Sequence, residues 1–108
     1  MPYSSDTPEL TSVLTYLKAS QERNLADLLR LVTQPSISAQ GIGIRETAAI
    51  EEELLRSAGL TTQILETPRQ PMVYGEWLGA PGKPTVLFYG HYDVQPADPL
   101  ELWTSPPF

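Results

Sequence analysis

Residues 85–96 read Thr85-Val86-Leu87-Phe88-Tyr89-Gly90-His91-Tyr92-Asp93-Val94-Gln95-Pro96. The unbroken apolar run from Thr85 to Tyr89 predicts a strand buried on both faces, the kind that lies centrally in an α/β sheet. His91 is the only histidine of the chain, and it follows this run with Asp93 two positions later. Because side chains of an extended chain alternate between faces, we expect His91 and Asp93 to point the same way and Tyr92 to oppose them.

A histidine and a carboxylate in this arrangement indicate the beginning of a metal site. One ring nitrogen of His91 would bind the metal while Asp93 fixes the tautomer, directly or through its neighbours, as carboxylates next to metal ligands commonly do. A His-x-Asp triplet alone is a weak signal, but the exit of a central strand is where open α/β sheets bind ligands. A zinc site also needs three or four protein ligands, and the chain has no second histidine and no cysteine.

Composition and charge exclude several classes of protein. Hydrophobic residues make up 41% of the chain and charged residues 19%, which predicts a folded core. Thirteen acidic against seven basic residues argue against a nucleic-acid partner, because such proteins carry a basic footprint. The lack of cysteine fits a reducing compartment, so we expect a cytoplasmic protein. The sequence shows no basic and apolar leader and no 18-residue apolar run, so we expect no membrane partner.

Apolar residues spaced three and four apart predict a long amphipathic helix at the start of the chain. Thr7 is the expected cap, and Gln34 is the expected end because Pro35 disfavours helical geometry in the residue before it. After a loop rich in proline, serine and glycine, a second helix is predicted from Arg45 to Ala58. Gly59 lies where a C-terminal glycine cap belongs.

Two further strands are predicted, Thr61 to Glu66 and Met72 to Leu78, both bounded by proline or glycine. A turn cluster over 79–84 leads from them into the run Thr85 to Tyr89. The order of helix, helix, strand, strand, strand indicates a layered α/β domain with helices covering a sheet. With so few elements to cover a strand that is apolar on both faces, we expect part of its surface to stay exposed. The isolated chain should then be marginally stable, oligomeric or prone to aggregate.

The segment around the His-x-Asp triplet resembles the first active-site segment of the co-catalytic zinc metallopeptidases. That family includes carnosinase-like dipeptidases, aminoacylase, acetylornithine deacetylase, succinyl-diaminopimelate desuccinylase and carboxypeptidase G. The resemblance rests on two runs, Gly90-His91-Tyr92-Asp93-Val94-Gln95-Pro96 and Leu102-Trp103-Thr104-Ser105-Pro106-Pro107-Phe108. The Pro-Ser-Ile-Ser loop from Pro35 and the helix closing at Ala58-Gly59-Leu60 also look like the family's opening. The family resemblance implies a partial three-layer catalytic domain, with helices packed on a mixed, mostly parallel sheet.

The resemblance assigns roles to two residues of this chain. His91 matches the first zinc-ligand histidine, and Asp93 matches the catalytic aspartate that holds a zinc-ligand histidine in place. The family's other ligands and its general base match nothing up to Phe108. We therefore expect residues 1–108 to be the incomplete amino-terminal part of a single metallopeptidase catalytic domain, truncated on its C-terminal side and inactive alone.

The resemblance also implies a reaction, which is hydrolysis of amide bonds by a water that two zinc ions activate. Manganese or cobalt is the alternative metal, and a homodimer is expected for the full-length form. The run His-Tyr-Asp-Val-Gln-Pro favours the dipeptidase branch, with dipeptides or short peptides as substrates. The alternatives are a deacylase of N-acyl amino acids from the same family, a non-catalytic truncated product, or a small interaction module.

Two other features have plainer interpretations. The acidic run Glu51-Glu52-Glu53 is interpreted as a solvated helix face, because consecutive helical residues point in different directions. Ser36, His91 and Asp93 are the residue types of a hydrolytic triad, but Ser36 does not lie in a Gly-x-Ser-x-Gly turn. We expect its side chain to make a loop or cap hydrogen bond instead.

Overall fold

The computed structural model describes residues 7–108. They divide into two compact units, one ending at Arg30 and the other running from Leu31 to Phe108. The elements are helices α1 (Pro8–Ala19), α2 (Gln21–Thr33) and α3 (Ile44–Ser57), strands β1 (Thr61–Leu65) and β2 (Met72–Glu76), and two short 3-10 turns. In this part of the chain, every helix is too short or too polar to cross a membrane.

The prediction of one long helix at the start of the chain is wrong, because α1 and α2 are separated at Ser20. The Ser20 hydroxyl donates to the carbonyl oxygens of Tyr16, at 2.9 Å, and Leu17, at 3.3 Å. Serine hydroxyls that bond to the preceding turn compete with the backbone ladder and bend helices. The predicted cap is confirmed, since the Thr7 hydroxyl accepts a bond from the backbone N–H of Leu10. α2 ends at Thr33, one residue before the predicted end.

The apolar stripe of α1 and α2 has the predicted spacing but is not buried in the structure. Its side chains are between 40% and 55% exposed: Leu10, Val13, Leu14, Leu17, Leu25, Leu28, Leu29 and Val32. Amphipathic spacing therefore predicted helical structure over these residues, although the side chains of the stripe are only partly buried.

The core of the second unit lies where α3 packs against β1 and β2. Ile44 and Ala48 on α3 are buried, together with Ile37 in the loop before it. The predicted second helix is confirmed within one residue at each end. Gly59 has a φ of 93°, the left-handed conformation expected of a glycine that ends a helix.

Strands β1 and β2 form an antiparallel hairpin in which Thr61 pairs with Glu76 and Leu65 with Met72. Both predicted strands are confirmed, each ending one or two residues earlier than expected. The α/β class is confirmed as well. The sheet of the described residues has only these two antiparallel strands, so the mostly parallel, three-layer arrangement is not formed within residues 7–108.

The predicted third strand, Thr85 to Tyr89, is wrong for this chain. Its residues pair with no strand within residues 7–108, and the exposed fraction rises from 71% at Val86 to 94% at Tyr89. A strand forms only where its backbone pairs with a neighbouring strand, and the sheet of the described residues contains β1 and β2 alone. The expectation that part of this apolar surface stays exposed is confirmed.

Candidate functional site

The site begins with the loop between α2 and α3, which folds back on itself. The N–H of Ile37 donates to the carbonyl of Ile42 at 2.8 Å, and the N–H of Ile42 donates back at 3.1 Å. Gly43 then turns the chain into α3 with a φ of 70°. A Cβ at this position would lie 1.8 Å from the carbonyl oxygen of Pro35, so only glycine fits.

Backbone pairing joins this loop to the segment that carries the His-x-Asp triplet. The N–H of Val94 donates to the carbonyl of Ser36 at 2.8 Å. Ile37 and Val94 also form an isolated parallel bridge. The loop and the triplet, distant in sequence, are thereby held side by side.

His91 and Asp93 contact each other directly, as the alternation of side chains predicts. The Nδ1 atom of His91 lies 3.0 Å from Oδ1 of Asp93 and 3.0 Å from the carbonyl oxygen of the same residue. Both partners are acceptors, so in a neutral imidazole Nδ1 carries the proton. This leaves Nε2 with its lone pair, on a side chain that is 76% exposed.

Ser38 completes the arrangement, and sequence reasoning missed it. Its Oγ donates a hydrogen bond to Oδ2 of Asp93 at 2.5 Å. This bond is the largest cause that holds the pKa of Asp93 below its ordinary value. Partial desolvation opposes it, and the hydrogen bond with His91 adds to it. The Pro-Ser-Ile-Ser run predicts a loop and contributes to the family resemblance, but nothing local indicates which carboxylate Ser38 contacts.

Ser36 does not behave as expected, and neither Ser36 nor Ser38 is hydrogen-bonded to the imidazole of His91. Ser36 is buried, and its Oγ has no hydrogen-bond partner, so the predicted loop or cap bond of its side chain is wrong. Its carbonyl, which accepts from Val94, is the group that ties the loop. Ser38 bonds to the carboxylate and not to the imidazole, so the order is serine, aspartate, histidine, and the imidazole is not placed at the hydroxyl as it is in a serine hydrolase triad.

Tyr92 points away from the pair and secures the segment from the other side. Its hydroxyl donates to the carbonyl oxygen of Pro71, a buried residue at the start of β2. An open cavity of about 240 Å³ lies between these groups. It is lined by Ser38, Ile44, Gln70, Pro71, Met72, His91, Tyr92 and Asp93.

The residues described here do not complete a metal site. Within residues 7–108, no three histidine, cysteine or acidic side chains lie close enough together to hold a metal ion. The acidic run of α3 does not converge either: Glu52 accepts from Thr62 and pairs with Arg56, whereas burial raises the pKa of Glu51. This run was interpreted as a solvated helix face, but only Glu53 is exposed, whereas Glu51 and Glu52 are half-buried.

Similar proteins were found by sequence and by structure, while no protein-family model matches the chain. A Cys-Gly metallodipeptidase of Saccharomyces cerevisiae is 28% identical over 92% of this chain and 24% of its own length. A succinyl-diaminopimelate desuccinylase of Delftia acidovorans is 32% identical over 73% of this chain and 21% of its own. The crystal structure of an M20 family metallo-carboxypeptidase from Sulfolobus solfataricus superimposes with a TM-score of 0.69 and 40% identity, over 75% of this chain.

The chain belongs to the M20 family of metallopeptidases. It spans about a quarter or less of the length of the curated relatives it matches, and 18% of the solved M20 structure. Membership of this M20 family implies a metal cofactor, as the names of the metallodipeptidase and the metallo-carboxypeptidase show. Within the described residues, His91 is the candidate metal ligand, and Asp93 is the candidate carboxylate that supports it.

Proposed function

We propose that this chain is the amino-terminal part of an M20 catalytic domain that hydrolyses amide bonds of dipeptides or short peptides with zinc. The observation that carries the proposal is the 3.0 Å contact between Nδ1 of His91 and Oδ1 of Asp93. A metal-ligating histidine characteristically donates its other ring N–H to a carboxylate. The presence of dipeptidases among the similar proteins supports the proposal that short peptides are the substrates.

In this proposal His91 and Asp93 have separate roles. Nε2 of His91 holds one metal ion, and Asp93 orients the ring and keeps its proton on Nδ1. The residues fit one ligand with its supporting carboxylate, and they do not fit a whole site. When bound, a zinc pair lowers the pKa of a water and polarises the scissile carbonyl. We place the remaining ligands and the general base in sequence that this chain does not contain.

A second candidate is a deacylase of N-acyl amino acids, favoured by the 32% identity to a succinyl-diaminopimelate desuccinylase. The two candidates share the roles of His91 and Asp93 and differ in the group that leaves. We also propose zinc over manganese or cobalt, a homodimeric full-length form and a cytoplasmic location. Each of these three rests on the resemblance or the composition and not on a contact in the structure.

The first test is the intact mass of the native protein, captured from its own cells with an antibody against residues 9–34. We expect a mass several times 11.9 kDa, because the relatives are several times longer than this chain. The captured protein should then hydrolyse dipeptides in the presence of zinc and lose that activity with a chelator. N-succinyl amino acids assayed in parallel separate the dipeptidase from the deacylase.

Variants of the same native protein test the two assigned residues. His91→Ala and Asp93→Ala should each abolish hydrolysis, whereas Lys83→Ala, an exposed side chain in the turn before residue 85, should leave it unchanged. A native mass of 11.9 kDa with no hydrolysis would refute the enzymatic proposal and favour a non-catalytic product or an interaction module. Full activity of His91→Ala would refute the assignment of the ligand.

A further inference from the structure

We propose that Ser38 is a positioning residue that fixes the carboxylate of Asp93 and, through it, the ring of His91. This inference rests on the proposed function for its purpose, which is to present Nε2 of His91 to a metal. It adds a third residue, from a distant loop, to a pair that the His-x-Asp triplet supplies by itself.

The hydrogen bonds divide the two oxygens of the Asp93 carboxylate between two partners. Oδ2 accepts from Ser38 at 2.5 Å, and Oδ1 lies 3.0 Å from Nδ1 of His91. A carboxylate held at one oxygen cannot turn freely about its Cβ–Cγ bond, so the oxygen that faces the ring is also fixed. That oxygen acts on the tautomer and direction of the imidazole together with the carbonyl oxygen of Asp93, which also lies 3.0 Å from Nδ1.

The triplet needs such an anchor because it lies in an exposed, irregular part of the chain. Residues 84–93 form no helix or strand, and the His91 side chain is 76% exposed. A hydrogen bond between two residues so close in sequence orders both side chains relative to each other, but not relative to the fold. Ser38 supplies the link to the fold, because its loop is held by residues of the core.

The loop that presents Ser38 is itself well defined. Two backbone hydrogen bonds between Ile37 and Ile42 close it, and the bridge between Ile37 and Val94 aligns it with the triplet. Ile37 is buried. The Ser38 hydroxyl is therefore directed at Asp93 by a preformed support, which is how a positioning residue acts at low entropic cost.

A purely structural role for Ser38 predicts a different outcome and is the alternative to exclude. If Ser38 only helped the loop to fold, its loss would lower stability without changing the protonated nitrogen of a folded His91. The tautomer of His91 is thus a readout that a structural role would not move. Because the chain has a single histidine, imidazole resonances belong to His91 without ambiguity.

The experiment is nitrogen-15 NMR of the histidine-labelled 108-residue chain at one fixed, mildly alkaline pH and at a concentration where light scattering shows a monomer. The parent chain should show mainly Nδ1–H, whereas free histidine favours Nε2–H. Ser38→Ala should shift the population towards Nε2–H, and Ser38→Thr, which keeps a hydroxyl, should restore the parent pattern. Ser36→Ala is the matched control, since that serine is in the same loop and its Oγ has no partner.

Zinc alone provides a second readout on the same samples. Addition of Zn²⁺ should perturb Nε2 of His91, and Ser38→Ala should weaken this binding by up to about 10-fold, the lower end of losses seen for outer-shell partners. If Ser38→Ala fails to fold, Ser38→Cys keeps the side-chain size with a much weaker donor and replaces it.

The outcomes separate the two proposals. An unchanged tautomer and unchanged zinc binding in folded Ser38→Ala or Ser38→Cys would overturn the role of Ser38 while leaving the proposed function intact. A second outcome is that the tautomer of His91 changes in Ser38→Ala while zinc never binds His91. This result would support the positioning role of Ser38 and count against the proposed function. A parent chain with mainly Nε2–H would overturn the role of Ser38 outright.

Discussion

Ser38 and Asp93 are 55 positions apart in the chain, and the hydroxyl of the first lies 2.5 Å from the carboxylate of the second. The connection depends on the loop before α3, which pairs through Ser36 and Ile37 with Val94. A change in this loop should therefore alter the orientation of His91, the candidate metal ligand. Four predictions test this loop and the contacts of the second unit.

The turn at Gly43 should be intolerant of any side chain. Gly43→Ala places a Cβ 1.8 Å from the Pro35 carbonyl oxygen, so the loop must move or the protein must unfold. Gly41→Ala is the matched control, since Gly41 has nearly the same φ and nothing within 4 Å of an added Cβ. We expect Gly41→Ala to cost about 1–2 kcal/mol from left-handed strain alone. Gly43→Ala should cost several kcal/mol more in urea unfolding; equal losses would show that the Pro35 contact is unimportant.

The exposed run from Val86 to Tyr89 should cause the 108-residue chain to self-associate. Apolar, unpaired backbone of this kind is a template for strand pairing between molecules. We expect Phe88→Lys to reduce the average mass measured by light scattering across a concentration series. Leu102→Lys is the control, because Leu102 is 76% exposed, against 89% for Phe88, but lies in a 3-10 turn. A parent chain that stays monomeric at high concentration would contradict the prediction.

Two glutamates of the second unit should change stability with pH in opposite directions. The Arg45 guanidinium bonds to both oxygens of Glu66, at 2.8 and 2.9 Å, and holds the pKa of Glu66 below its ordinary value of 4.5. Its contribution to stability is therefore present above pH 4.5 and is lost as the pH falls through the lowered folded pKa. Glu66→Gln should destabilise the protein at neutral pH and not in acid, where Glu66 is protonated. The effect should be small, because the ion pair is exposed and screened by salt.

Glu51 has the opposite sign because burial raises its pKa above 4.5. Its charged form is disfavoured in the folded state, so stability should rise as the pH falls through the raised pKa. Glu51→Gln should accordingly increase the unfolding free energy at neutral pH and have no effect in strong acid. Urea unfolding of both variants from neutral to acidic pH measures this, and effects of the same sign would refute the assignment.

Tyr92 should stabilise the site segment through its hydroxyl. Tyr92→Phe removes the donor to the carbonyl of Pro71, a buried residue, and should cost about 1 kcal/mol, the net worth of a typical hydrogen bond. Tyr74→Phe is the control, since that hydroxyl bonds to the exposed carboxylate of Glu76 and should matter by less than about 0.5 kcal/mol. Identical unfolding curves for Tyr92→Phe and the parent chain would contradict the role of this contact.

Local patterns in the sequence determined most of the secondary structure. Thr7 caps α1, α3 lies within one residue of its predicted span, and β1 and β2 lie within their predicted ranges. These features depend on spacing, caps and turn residues, which act over a few positions. The break at Ser20 escaped prediction because apolar spacing continues through it, and only the bonds of its hydroxyl reveal it.

The sequence also predicted that His91 and Asp93 share a face, because they are two apart in an extended chain, and the structure places the two side chains in contact. Only the tertiary structure brought Ser38 to Asp93, since a hydrogen bond across 55 positions leaves no local signal. It also decided that Val86 to Tyr89 is unpaired and exposed within the described residues. An apolar run predicts that its side chains favour burial. Whether they are buried depends on which other strands and helices lie beside the run.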